Sequence, residues 1–172
     1  VNYERADYSL VGLRGFSEQM RELGKVPSSQ ILSYRFESFS KPNLLAFFGI
    51  APGEKLYELT RIRLADQEKM ALETAYINPK LCPDILSKMH ENVSLYDLYE
   101  NEYKLTLGKS NINLVAEIPS QTVRDLLDID EHTPVLTMDC YVKLKDGRPL
   151  YYVRCYYIGK RYTFSTVLEG KL

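Results

Sequence analysis

The feature that most constrains this chain is that it uses one piece of grammar twice. Residues 44–77 and 123–157 both read as helix, short turn, strand, tight turn, strand. A displacement of 79 residues lays Ile50 on Ile129 and Leu56 on Val135. One residue more lays Asp66 on Asp146, Met70 on Leu150 and Tyr76 on Tyr156. Self-similarity of this kind reads as a repeated helix-plus-hairpin unit, although hairpins share enough grammar to look alike by chance. Two such hairpins side by side make one antiparallel sheet with helices against it, so the expected class is α+β in a single domain.

Local signals place the remaining elements. Gly15 to Gly24 reads as a short helix, with Ser17 as its N-cap, Arg14 beside it, Phe16 and Met20 or Leu23 on its apolar stripe, and Gly24 as its stop. Residues 28–39 alternate as a strand, and Lys41-Pro42 opens a helix that Gly49 closes. Strands are expected over 54–64 and 69–77 around a turn at Asp66-Gln67-Glu68. Helices follow over 83–90 and 95–99, then a long strand over 105–118 interrupted near Gly108, and a helix over 119–127 that opens at Pro119. Asp146-Gly147 between alternating runs is a strong hairpin signal, and residues 161–168 read as a last strand.

Composition removes several function classes. The 172 residues have a net charge of −1, whereas a domain that grips nucleic-acid backbones is usually basic. No apolar run approaches the roughly 20 residues that span a bilayer, and no signal-peptide pattern stands at the start of the given residues. Cys82, Cys140 and Cys155 form no CxxC pair and have only His90 and His132 as companions. Buried thiols in a reducing cytoplasm are therefore expected, with no metal or other cofactor. Neither histidine lies near a nucleophile motif or a glycine-rich phosphate loop, so both read as surface residues and no catalytic group emerges. Tyrosine is over-used, with 14 Tyr against 6 Phe and no Trp. Its ring and hydroxyl suit polar cavities, interfaces and exposed strand faces alike.

Arg61 and Arg63 are the sharpest candidate site. Two apart on a strand, they point to one face with Leu59, while Ile62 points away. Two guanidinium forks on one face suit a phosphate or carboxylate. A three-residue turn sets Arg61 opposite Glu73 and Arg63 opposite Ala71, so an exposed cross-strand ion pair is the competing reading. Ser94 before Leu95-Tyr96, and Ser17, would leave helix N–H groups free for an anion, or simply cap their helices. Across a two-residue Asp146-Gly147 turn, Arg154 pairs with Asp139, and Tyr156 and Tyr157 fall on opposite faces.

Three stretches taken together resemble a known family: residues 15–29 (GFSEQM through PSS), 59–77 (LTRIRLAD through MALETAYI) and 146–164 (DGRP through YIGKRYTF). In order and spacing they resemble the UTRA domain, the effector-binding half of GntR-type bacterial regulators of the HutC subfamily, over about residues 10–168. The resemblance implies a chorismate-lyase-like antiparallel sheet flanked by helices, without lyase activity. It implies that residues 13–172 are the effector domain. Residues 1–12, which begin without Met, would be a linker remnant from an N-terminal winged helix-turn-helix domain. The whole protein would be a dimeric cytoplasmic repressor that touches operator DNA only through that other domain.

Members of the sugar-phosphate branch hold phosphate with an Arg-x-Arg strand, a Ser-x-Tyr helix start and the loop before the first helix. Those positions fall here on Arg61 and Arg63, Ser94 and Tyr96, and Phe16 and Ser17. A strand glutamate and a C-terminal tyrosine contact the sugar, and these fall on Glu73 and Tyr157. Ile158-Gly159-Lys160 departs from the Arg-Gly-Asp of many members, just beside Tyr157. The resemblance therefore implies a phosphorylated-sugar effector whose contacts order or shift the segment before residue 17. A non-phosphorylated carboxylate catabolite, a lyase-like enzyme of the same fold, and a dimerisation module without ligand are the alternatives.

Overall fold

In the computed structural model, which describes residues 5–9 and 15–170, strands of period two build a six-stranded antiparallel sheet. Its strands are β2 (Pro27–Ser38), β3 (Lys55–Ala65), β4 (Glu68–Ile77), β5 (Leu107–Glu117), β6 (Val135–Leu144) and β7 (Pro149–Ile158). The order β2-β3-β4-β7-β6-β5 is a palindrome: the hairpin β3-β4 of the first unit is mirrored by β6-β7 of the second, and the strand that precedes each unit, β2 or β5, takes the outer edge. The two halves meet where β4 pairs with β7. There Leu72 lies opposite Tyr156 and Tyr76 opposite Tyr152, related through the Thr74–Arg154 pair between them. A separate parallel pair joins β1 (Ala6–Ser9), inside the stretch read as a linker remnant, to β8 (Tyr162–Ser165).

Turn chemistry and bulges together set the register. The first hairpin closes on Asp66 and Gln67 alone, both at positive φ (50° and 66°). A two-residue turn would leave Arg61 out of step with Glu73, but a register slip between Arg63 and Leu64 adds Met70 as the extra residue and restores the pairing. The second hairpin needs one residue more. Leu144 and Arg148 bond across residues 145–147, with Gly147 at φ 91°. Leu150 is then the extra residue of a slip between Val142 and Lys143, and Asp139 meets Arg154 as expected. Both turn lengths thus differ from expectation, and the bulges at Met70 and Leu150 cancel both differences.

Helices cover both faces. On one, α2 (Pro42–Phe48) buries Leu44 and Phe48 against Leu56, Tyr76 and Tyr152. On the same side α4 (Gln121–Leu127) buries Val123 and Leu127 against Ile62, Leu72 and Val135. Each such apolar side chain contributes roughly 1.5–3 kcal/mol. The sequence signals hold at α2, where Pro42 is in the first turn and Gly49 closes the helix in the left-handed region, whereas α4 opens later than expected, capped by Ser120 with Pro119 just outside it. On the other face α1 (Phe16–Glu22) lays Phe16 and Met20 on a core that includes Leu59, Ala75, Met138 and Val153.

Four local expectations are corrected. Ser17 is not the cap of α1: Gly15 is, and the Glu18 carboxylate reaches back to its N–H at 3.0 Å. Leu23, offered for the apolar stripe, is exposed, while Phe16 and Met20 are buried. Residues 83–90 make only a 3-10 turn at Ile85–Lys88, because Asp84 at φ 56° breaks the helical run after Pro83. The last strand stops at Ser165, leaving Val167 and Leu168 exposed without a pairing partner. Arg14 lies outside the described residues.

Candidate functional site

Strand alternation puts Arg61, Arg63 and Leu59 on the face under α1, and sends Ile62 to the opposite core. Glu73 stands opposite Arg61 on β4. The pair expected on an exposed face is instead nearly sealed: Arg61 and Arg63 side chains are 1% and 4% exposed, and Glu73 13%. One carboxylate oxygen, Glu73 Oε1, accepts from Arg61 Nη2 at 2.5 Å, Arg61 Nε at 3.1 Å and Arg63 Nη1 at 3.4 Å. Arg61 Nη1 also donates to the Val93 carbonyl at 3.0 Å, which ties the loop before α3 (Leu95–Asp97) to the sheet.

Arg63 is held differently. Its Nη2 donates to Ser17 Oγ at 3.0 Å and its guanidinium lies 4.6 Å over the Phe16 ring, while its buried Nε has no hydrogen-bond partner among the described residues. Burial first, and then the Arg61 charge, lower its pKa to about 10, so it stays cationic across the neutral range. Burial pushes Glu73 up, but Arg61 and Arg63 outweigh that and hold it below the ordinary carboxylate value. Two buried guanidinium ions share one carboxylate, leaving one positive charge uncompensated in the group.

The opposite wall comes from the α3 region. Ser94 caps α3 by accepting from the Asp97 N–H at 3.3 Å. The Tyr96 ring packs on Gly15, where an added Cβ would stand 3.0 Å from Tyr96 Cδ2. The Tyr96 hydroxyl meets that of Tyr151 at 2.5 Å. Both α1 and α3 are short, seven and three residues, so their dipoles add little to anion binding. Tyr157 lines the cleft and packs its ring, tilted, against Tyr162 at 4.4 Å, the β8 residue that pairs with Ala6 of β1.

All of Phe16, Arg61, Arg63, Glu73, Ser94, Tyr96 and Tyr157 line one cleft, and Ser17 stands behind it as the Arg63 acceptor. The unfilled space between them is about 40 Å³, room for a few waters. Sequence reasoning missed the Gly15 contact, the Val93 carbonyl and the second hairpin's wall of Met138, Cys140, Tyr151 and Val153. The wall had a signal: stepping back by twos from Tyr157 along β7 reaches Val153 and Tyr151 on the same face. All three cysteines are buried free thiols, His90 and His132 are exposed, and the described residues hold no cluster of His, Cys, Asp or Glu that would ligate a metal. Among them no helix is long and apolar enough to cross a membrane.

A small cationic cleft on one face of an antiparallel sheet is the geometry of a domain that binds a small molecule. The comparisons give that class its setting: this is the effector-binding domain of a GntR-family transcriptional regulator. Residues 22–163 match the UTRA domain model, and the chain belongs to that family. It is 27% identical over 169 residues to the HTH-type transcriptional repressor NagR of Bacillus subtilis, covering 98% of this chain and 69% of NagR. It is 26% identical over 174 residues to the Escherichia coli mannosyl-D-glycerate transport/metabolism system repressor MngR, covering 99% of this chain and 70% of MngR. PhnF from Mycobacterium smegmatis has the same fold at a TM-score of 0.87 and 19% identity, over 97% of this chain and 73% of PhnF. These relatives and neighbours are transcriptional regulators, not enzymes, so the lyase-like alternative falls.

Proposed function

We propose that the domain senses a phosphorylated sugar and thereby sets the operator affinity of a repressor, acting in the cytoplasm as one half of a homodimer. The observation that carries this reading is the charge count in the cleft. Two buried guanidinium ions with one carboxylate, and an Arg63 Nε unpartnered among the described residues, are an unfavourable resting arrangement. A phosphate between Arg63, Ser17 and the Ser94–Tyr96 turn would supply the missing charge and acceptors. Glu73 would then accept from sugar hydroxyls, and Tyr157 would lie over the ring. A sugar phosphate exceeds the present 40 Å³, so binding must draw α1 and α3 apart.

That movement gives the signal a route. Gly15 and Phe16 begin α1, and Tyr157 leads through Tyr162 to β1, which lies within the stretch 1–12 that would join a winged helix-turn-helix domain. Operator affinity changes only by the ligand's differential affinity for the two arrangements. The test is a thermal-shift panel of sugar phosphates, their unphosphorylated parents and sulfate. A ligand at 100 times its Kd adds about 2.7 kcal/mol, on the order of 5–10 °C for a chain of this size. A shift for one sugar phosphate and none for its parent sugar supports the reading. A panel without any shift, or a parent sugar as effective as its phosphate, overturns it.

A further inference from the structure

Gly15 stands where no backbone torsion asks for glycine. Its φ of −75° and ψ of 156° are open to any residue. What the position lacks is room: an added Cβ would lie 3.0 Å from Cδ2 and 3.2 Å from Cγ of Tyr96. The Tyr96 ring therefore rests directly on the main chain at the start of α1. Its far end is held as well. The Tyr96 and Tyr151 hydroxyls meet at 2.5 Å, and the two rings cross edge to face, 84° apart with centroids at 6.1 Å. Burial, and after it the neighbouring Tyr96, pushes the Tyr151 pKa well above 10, so Tyr151 meets Tyr96 as a neutral phenol. The α3 backbone is pinned beneath the ring. Leu95 and Tyr99, on either side of Tyr96, are buried in the core, and Arg61 Nη1 holds the Val93 carbonyl. Tyr96 itself is only half-buried. The seam that can part is the one between its ring and Gly15.

We propose that the Tyr96 ring is the gate of the cleft, and that Tyr151 and Gly15 are the positioning residues that keep it shut. Tyr151 holds the ring by its hydroxyl, and Gly15 seats it by presenting bare main chain. The proposal rests on the effector reading above and adds what governs entry to that site. All three residues line the cleft, whose unfilled space of about 40 Å³ admits nothing larger than water while the seam is closed. Opening it costs one hydroxyl pair and one ring contact. Both are small, so the closed arrangement is favoured and the open one stays within thermal reach. A gate closed most of the time lowers the apparent affinity of any effector by the fraction of time it stands open. Tyr151 and Gly15 thus act on binding through Tyr96.

The chain's own thiols report the gate without any effector. Cys140 lines the cleft, whereas Cys82 and Cys155 are buried away from its lining. Burial pushes the pKa of Cys140 and of Cys82 up to about 12, so these two start equally unreactive and differ in what uncovers them. The test is brief exposure to methyl methanethiosulfonate, a small thiol reagent, with the adducts located by peptide mass mapping. Tyr151→Phe keeps the ring and removes the hydroxyl pair. It should speed reaction at Cys140 about two- to tenfold, the worth of one hydrogen bond, and leave Cys82 and Cys155 at the rates of the unaltered chain. Gly15→Ala pushes the Tyr96 ring off the main chain and should do the same from the other side, so the test stands even where one variant folds poorly. A selective rise at Cys140 in either variant supports the gate. An equal rise at all three thiols in both variants, or none at Cys140, overturns it and leaves the sugar-phosphate reading to its thermal-shift panel. A selective rise beside a panel without any shift sustains the gate and removes the effector assigned to it.

Discussion

The two hairpins share a backbone plan and carry their own cross-strand ion pairs on opposite faces. Under the cleft, Arg61 lies opposite Glu73 in the first hairpin; the equivalent place in the second holds Cys140 opposite Val153. On the far face the order reverses. Thr60 meets Thr74 there, hydroxyl to hydroxyl at 3.2 Å, where the second hairpin has Asp139 and Arg154 at 2.8 Å. The Arg154 side chain is 47% exposed and that of Arg61 is 1%. An ion pair open to water is screened and worth little. A buried group with one positive charge in excess costs stability, and the anionic ligand proposed above would offset that cost. One hairpin supplies the grip of the cleft and the other its apolar wall.

The largest expected effect separates these two ion pairs. Glu73→Gln leaves two buried guanidinium ions without a counter-ion and should cost about 3–5 kcal/mol. That lowers Tm by on the order of 10 °C in a scanning calorimeter. Adding Arg63→Met to Glu73→Gln should recover most of the loss. Asp139→Asn should cost within about 1 kcal/mol, since its partner is half open to water. Equal losses at Glu73 and Asp139 would break the contrast between the two faces.

Acid should sharpen the same contrast. The folded pKa of Glu73 lies below its ordinary value of 4.5, so its contribution is full above that value and disappears as pH falls through the folded one. The Tm gap between the unaltered chain and Glu73→Gln should therefore be constant from pH 7 to about 5 and close under stronger acid. A gap that widens on acidification would contradict the assignment of Glu73 as the ionised partner.

Arg63→Met tests function against stability. The variant removes an under-satisfied buried cation, so Tm should hold or rise. Affinity for the sugar phosphate identified by the thermal-shift panel should fall tenfold or more in calorimetric titration, because a charge-assisted bond contributes roughly 1.5–3 kcal/mol. Unchanged affinity would remove Arg63 from the site. The smallest effect lies in the turns. Gln67 occupies the left-handed region where the second hairpin has Gly147. Gln67→Gly should stabilise by about 0.5–1 kcal/mol and Gly147→Ala should destabilise by about 1 kcal/mol, read from urea midpoints.

Much of this fold was legible residue by residue. The repeat, the Asp146-Gly147 turn, the Gly49 stop and the Arg61–Glu73 register follow from period-two alternation and turn chemistry, which act over a few residues. Two errors of turn length cancelled against bulges at Met70 and Leu150, positions the repeat had already laid on each other. The failures were of another kind. Ser17 looked like a cap because capping depends on the residue type, whereas Gly15 and Glu18 took that role and released Ser17 toward Arg63. The β7 wall was readable from Tyr157 by alternation, but nothing local said that β7 would lie beside β4.

The sequence by itself determined which side chains share a face: Arg61 with Arg63 and Glu73, Tyr157 with Val153 and Tyr151. The pleat alternates whatever the chain does elsewhere. Only the tertiary structure decided that this face is sealed. Burial depends on segments far away in the chain: the start of α1 laid over Arg63, the Val93 carbonyl brought to Arg61, and Tyr96 joined to Tyr151. The same Arg–Glu pair would be a screened surface contact if those segments were elsewhere; beneath them it belongs to a buried group with an unbalanced charge.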